Sequence, residues 1–133
     1  MNYFILQYYE ESTVYDNNWY KAWHAYAVMN FEACLFYRHQ QQLLQQQTNQ
    51  SSGASGILSP QMISKYAVPA LKGFVKSITL SKGNSLQDTL RLLTLLFDYG
   101  HQSDMYEALH EGMRTIGQLF VYFICIIFLR CTI

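Results

Sequence analysis

A chain of 133 residues, half of them apolar and 16% aromatic, suits one packed domain or a piece of one and is too apolar for a disordered segment. Nine Lys and Arg balance nine Asp and Glu, so the formal net charge is zero and the clustered basic footprint of a nucleic-acid binder is missing. Three cysteines, Cys34, Cys125 and Cys131, lack metal or redox spacing, and their odd number fits a reducing compartment better than a disulfide framework.

The opening MNYFILQYYEES has an apolar patch but no basic start, and Glu10 and Glu11 follow at once, so it does not read as a signal peptide. Residues 1–39 predict two helices with a break near Thr13–Asn18. Asp16, Asn17 and Asn18 are expected to cap the second helix. On that helix Trp19, Trp23, Tyr26, Asn30, Ala33 and Tyr37 recur at steps of three and four and predict the core face. Phe31 and Leu35 add a second apolar flank, leaving a polar edge at Lys21, Glu32 and His39. A helix so apolar is expected to be covered on two sides, as in a stacked solenoid. Trp23, Tyr26, Ala27 and Asn30 also fall where a tetratricopeptide A-helix places its packing residues.

Residues 40–59 turn glutamine-rich and then rich in Ser and Gly, which predicts a low-complexity loop. Helical pattern restarts at Ser59 and Pro60, with Pro at the first helical position, and continues through residues 60–116. Pro69 is expected to kink or interrupt the first of these helices. Lys82-Gly83-Asn84 predicts a turn, and Ser85 to Asp88 resembles a capping box. Leu86, Leu90, Leu93 and Phe97 predict a core stripe flanked by Leu92 and Leu96, closed by Gly100. Ser103 is expected to cap a further helix carrying Met105, Leu109, Gly112 and Ile116. Antiparallel helices with short turns make an all-α fold of tetratricopeptide-like and HEAT-like layout. Residues 117–133 differ: Leu119–Leu129 is an unbroken apolar run, short of the about 20 residues a bilayer span needs, so no transmembrane span is expected. This tail reads as sequence foreign to the repeat, such as an alternative last exon.

Chemistry-bearing patterns are few. Asp98-Tyr99-Gly100 superficially resembles the kinase Asp-Phe-Gly metal triplet, but the Gly-rich loop, strand lysine and catalytic loop that give the triplet meaning are missing. His24, His39, His101 and His110 lack metal-ligand spacing, and no metal site is expected. Glu10 and Glu11 project apart, while Asp88 and Asp98 sit beside Arg91 or at helix ends, so no catalytic residue is assigned. Cys34, on the aromatic helix, is expected to be a small buried thiol.

The aromatic run Asn18–Ala33, NWYKAWHAYAVMNFEA, followed by Gly83–His101, GNSLQDTLRLLTLLFDYGH, resembles the late part of the FAT region of target-of-rapamycin (TOR) kinases, which are PI3K-related serine/threonine kinases. The resemblance extends over about Ile5–His39 and Lys65–Ile116, stopping before the rapamycin-binding and kinase domains. It implies a non-catalytic solenoid fragment at the junction of tetratricopeptide-like and HEAT-like repeats. It further implies partnership with the rest of a TOR kinase and its complex subunits, in the cytoplasm and also at endomembranes and in the nucleus. ATP and magnesium would belong to the parent kinase domain. By the same resemblance Lys21, the lysine of Trp-Tyr-Lys-Ala-Trp, is one contributor to a basic pocket for an inositol polyphosphate. Alternatives from the residues themselves are a free-standing helical-repeat adaptor and a membrane-associated protein using the apolar tail.

Overall fold

Five α-helices make up most of the described residues, 3–48, 60–82 and 84–131, of the computed structural model, with no strand among them. They are α1 (Tyr3–Tyr15), α2 (Tyr20–Thr48), α3 (Pro60–Leu80), α4 (Leu86–Tyr99) and α5 (Tyr106–Cys131), with a single 3₁₀ turn at Ser103–Met105. The arrangement is the expected all-α antiparallel array. α2 and α3 form the most extensive pair, α1 rests on α2, and α4 and α5 pack on α3 and on each other.

Close approach of α2 and α3 depends on small residues. Ala27, Ala67 and Ala70 are buried in the core that the two helices share. A Cβ on Gly73 would lie 2.7 Å from the Ala27 methyl, so the backbones can approach this closely only with glycine there. Around that crossing, Phe31 meets Phe74 edge-on at 5.9 Å, and the rings of Tyr37 and Tyr66 stack at 5.2 Å. Leu71, Phe74 and Ile78 of α3 then carry the core across to Leu92, Leu95, Met105 and Leu109.

The α2 stripe differs from expectation at its aromatic end. Trp19 is 51% exposed and Trp23 is half-buried, while Ala27, Asn30, Phe31, Ala33 and Cys34 carry the buried face. Large rings do not fit a close helix crossing, so they form its rim. The Trp23 indole N–H donates to the Asn17 carbonyl at 2.8 Å, and the Lys76 ammonium sits 5.9 Å from its ring centroid. The predicted cap also works differently. Asp16 uses its carboxylate to accept the Asn18 N–H at 3.1 Å, a local turn, rather than to cap α2.

Three boundaries move as well. α2 runs on through Thr48, so the low-complexity loop does not begin at Gln40. Glutamine is a good helix former and simply continues the helix. Residues 49–59 of that expected loop lie outside the described residues. α3 passes through Pro69 without interruption, since one missing N–H is tolerated in a helix packed along its length. Ser103 does not cap a helix; it lies within the 3₁₀ turn, preceded by Gln102, which makes no side-chain cap bond.

The largest correction concerns α4. Leu86, Leu90, Leu93 and Phe97 face outward, Phe97 at 90% exposure, while Asp88, Leu92, Leu95 and Tyr99 are buried. Ser85 accepts the Asp88 N–H at 3.4 Å, giving half of the expected capping box, while the Asp88 carboxylate is engaged elsewhere. Gly100 ends the helix as expected, in right-handed geometry, with φ at −59°. A Cβ there would meet the Leu96 carbonyl at 2.6 Å, which is why glycine stands at this point. Finally, the apolar tail is, as far as Cys131, not a separate segment. It is the second half of α5, and the helical stretch Ser103–Cys131 is by length and composition long and apolar enough to cross a membrane.

Candidate functional site

Lys21 lies on the exposed first turn of α2. Its neighbour one turn on, His24, points inward, and there the structure assembles a polar node that sequence spacing does not reveal. The node centres on Asp88, whose side chain is fully buried at the start of α4. His24 Nδ1 lies 2.9 and 2.8 Å from its two carboxylate oxygens. A carboxylate only accepts, so Nδ1 carries the proton. Ser77 of α3 donates its hydroxyl to Asp88 Oδ2 at 2.5 Å, and Arg91, one turn along α4, reaches Oδ1 at 3.3 Å. One carboxylate therefore joins three helices.

Ser, Asp and His in one cluster invite comparison with a hydrolytic triad. The order is wrong for that chemistry. A nucleophilic serine must give its proton to histidine, whereas Ser77 bonds the carboxylate, which stands between it and His24. The cluster neutralises and positions; it offers no nucleophile–base pair.

Asp98-Tyr99-Gly100 likewise receives a structural explanation. Asp98 accepts from the Arg38 guanidinium of α2 at 2.5 Å, Tyr99 is buried against the core, and Gly100 ends α4. Burial, then the charge of a Cys34 thiolate, raises the Tyr99 phenol from 10.0 to about 12, with Arg38 opposing and Asp98 adding to the rise. Cys34 is the buried thiol expected, raised from 9.0 to about 12 by desolvation, with a backbone hydrogen bond opposing. Tyr26 is also raised, first by burial and then by the charge of Glu10.

No group of three or more His, Cys, Asp and Glu side chains able to hold a metal ion occurs among the described residues. His101 and His110 are exposed, and His110 stacks on the Tyr106 ring at 5.9 Å. His39 is exposed near the glutamine-rich half of α2. The described residues thus provide helix-to-helix ties and exposed apolar faces.

The FAT domain family matches residues 2–94. The serine/threonine-protein kinase mTor of Drosophila melanogaster is 53% identical over 117 residues, covering 84% of this chain and 5% of that protein. The serine/threonine-protein kinase tor1 of Schizosaccharomyces pombe is 40% identical over 112 residues, covering 84% of this chain and 4% of that protein. The serine/threonine-protein kinase TOR of Arabidopsis thaliana is 35% identical over 114 residues, covering 82% and 4%. The chain therefore spans a small part of the length of the curated relatives it matches.

Proposed function

The chain belongs to the FAT domain family of TOR kinases, and from that premise we propose that it is a non-catalytic helical scaffold supporting a TOR kinase domain and the assembly of its complex. The observation that carries this reading is the double-sided α4. One apolar stripe, Leu92, Leu95 and Tyr99, is buried in the bundle, and a second, Leu86, Leu90, Leu93 and Phe97, lies exposed on the other side. A surface helix of a self-sufficient domain presents one apolar stripe and one polar face. A helix inside a stacked array presents two apolar stripes, one for each neighbour. The same exposed stripe weighs against a free-standing repeat adaptor, which needs polar outer faces at its ends.

In this reading the chain acts in the cytoplasm within growth and nutrient signalling, and phosphotransfer with ATP and magnesium belongs to the parent kinase domain. Lys21 contributes one cation to an inositol polyphosphate pocket completed by basic residues of the parent protein. Its exposure on the first turn of α2 supports that role, since a dense phosphate cluster is held by several converging cations.

The test is made in a full-length TOR kinase. Leu90→Glu with Phe97→Glu at the matching positions should reduce complex recovery and kinase activity together, and leave the isolated chain's helical circular dichroism unchanged. A full-length double variant that assembles and phosphorylates normally would refute the scaffold role. Separately, Lys21→Ala in that context should weaken retention of inositol polyphosphate without loss of fold. Unchanged retention and unchanged salt dependence would make Lys21 an ordinary surface lysine.

A further inference from the structure

The C-terminal half of α5 leaves the bundle. Thr115 is buried, and Ile116 and Leu119 still pack against the core. Beyond them Phe120, Val121, Tyr122, Phe123, Ile124, Ile127, Phe128 and Leu129 are all largely exposed. At 1.5 Å per residue the stretch 120–129 projects about 15 Å. Its apolar residues occupy every side of the helix, so a groove touching one side would leave the rest in water.

The base of this projection is different. A groove of about 370 Å³ lies between the end of α3 and α5, lined by Ile78, Thr79, Lys82, Thr115, Gln118, Leu119 and Tyr122. The hydroxyls of Thr79 and Thr115 are engaged by the Val75 and Glu111 carbonyls of their own helices, at 2.7 and 2.9 Å. The polar heads of Lys82 and Gln118 have no hydrogen-bond or ion-pair partner among the described residues. Between Glu111 and Cys131 there is no acidic side chain, and the charged side chains are Arg114, paired with Glu111, and Arg130. One cation, Lys82, and the amide of Gln118 thus lie at the base, hydrocarbon projects from it, and no acidic side chain lines the groove. That charge order complements an anionic phosphate layer over hydrocarbon.

We propose that α5 docks the chain on an anionic phospholipid bilayer, with the Phe120–Leu129 turns in the hydrocarbon of one leaflet and Lys82 and Gln118 at the headgroup phosphates. The projection is short enough to stay within one leaflet of a hydrocarbon core of about 30 Å. Contacts of Thr115, Ile116 and Leu119 with the bundle keep the helix from passing further. Arg130 sets the attitude, because a guanidinium is disfavoured at the bilayer centre. The helix therefore enters obliquely, and Arg130 reaches back to the phosphates.

The test is cosedimentation of the full chain with phosphatidylcholine vesicles, with and without phosphatidylserine. Phosphatidylserine vesicles should bind more tightly, and added salt should weaken them. Lys82→Gln should lower that affinity about fivefold, the contribution of one basic residue near the surface. Ile124→Glu with Phe128→Glu should lower it about a hundredfold or more, since both carboxylates would enter hydrocarbon. Both residues are exposed, so the helical fold is retained in that variant. A Phe123→Trp variant should be quenched by brominated acyl chains, which fixes depth independently. Equal binding by the parent and the double-Glu variant would overturn the proposal, as would an unquenched Trp. Vesicle-free self-association abolished by the same Glu substitutions, with no vesicle binding, would assign the surface to a second copy and also overturn it.

Discussion

Replacing Asp88 by Ala removes the acceptor shared by α2, α3 and α4 and should be the most informative single change in the bundle. The Ser77 hydroxyl, fully buried, would lose its partner at 2.5 Å. An unsatisfied buried polar group costs about 1–3 kcal/mol. His24 and Arg91 are partly exposed and can turn to water, so their share is smaller, but the bonds they lose were made to a charged group. Breaking a buried charged network by removing one partner costs about 3–5 kcal/mol, and Asp88→Ala should fall in that range. Asp88→Asn keeps the shape but turns an NH₂ toward groups that are themselves donors, and should cost about 1.5–3 kcal/mol. Ser77→Ala leaves the carboxylate bonded to His24 and Arg91 and should cost about 1 kcal/mol. Urea unfolding followed by circular dichroism reads this order. With a slope of about 2 kcal/mol per molar, the Asp88→Ala midpoint should drop by about 1.5–2.5 M. An Asp88→Asn variant as stable as its parent would refute the reasoning. So would a His24/Asp88 double-mutant cycle with coupling below about 0.5 kcal/mol.

Other changes follow from the same packing. Gly73→Ala forces a methyl against Ala27 and should lower stability by about 1–3 kcal/mol in thermal melts, with Ala27→Gly restoring part of the loss. Leu90→Ser with Phe97→Ser should raise the soluble fraction and shift stability by no more than about 0.5 kcal/mol each. Leu92→Ala, on the buried side of the same helix, should cost about 2–5 kcal/mol. A thiol reagent should label the exposed Cys125 and Cys131 in the native protein and reach the buried Cys34 only on unfolding. Burial holds Cys34 and Tyr99 protonated up to about 12, so the folded state binds more protons than the unfolded state above their ordinary values of 9.0 and 10.0. Their contribution is therefore complete below pH 9 and lost as pH rises through 12, a decline that alkaline unfolding curves should show.

Where the chain's local chemistry decides the outcome, the sequence is a good guide. Pro60 opens α3, Ser85 caps α4, Gly100 closes it and the helices run antiparallel, because each of these rests on residues close together in the chain. Periodicity fails at α4 for a definite reason. The helix has two apolar stripes, and spacing alone does not say which one meets α3 and α5. A signal was present: Asp88 stands at the head of the stripe that is buried, and a carboxylate enters a core only with partners. Those partners, His24 and Ser77, lie 64 and 11 residues away, beyond any spacing rule. The aromatic end of α2 misleads similarly, since Trp19 and Trp23 are bulky enough to look like core, while a close helix crossing selects Ala27 and Gly73. Lys21 remains the one residue whose role is carried by family resemblance alone.

The two ties between α2 and α4 have a mechanical consequence. His24 meets Asp88 near the start of both helices, and Arg38 meets Asp98 near the end of α4, so the two helices run in the same direction on either side of α3. They act as stays at opposite ends of one panel. The stay at Asp88 is sealed, its carboxylate fully buried and shared with α3. The stay at Asp98 is half-open, with Arg38 44% exposed, and water and salt can loosen it. Bending the array should therefore swing the panel like a door, fixed along the Asp88 edge and opening from the Asp98 edge, so that the curvature of the whole stack is adjusted at one end of the helices and not the other.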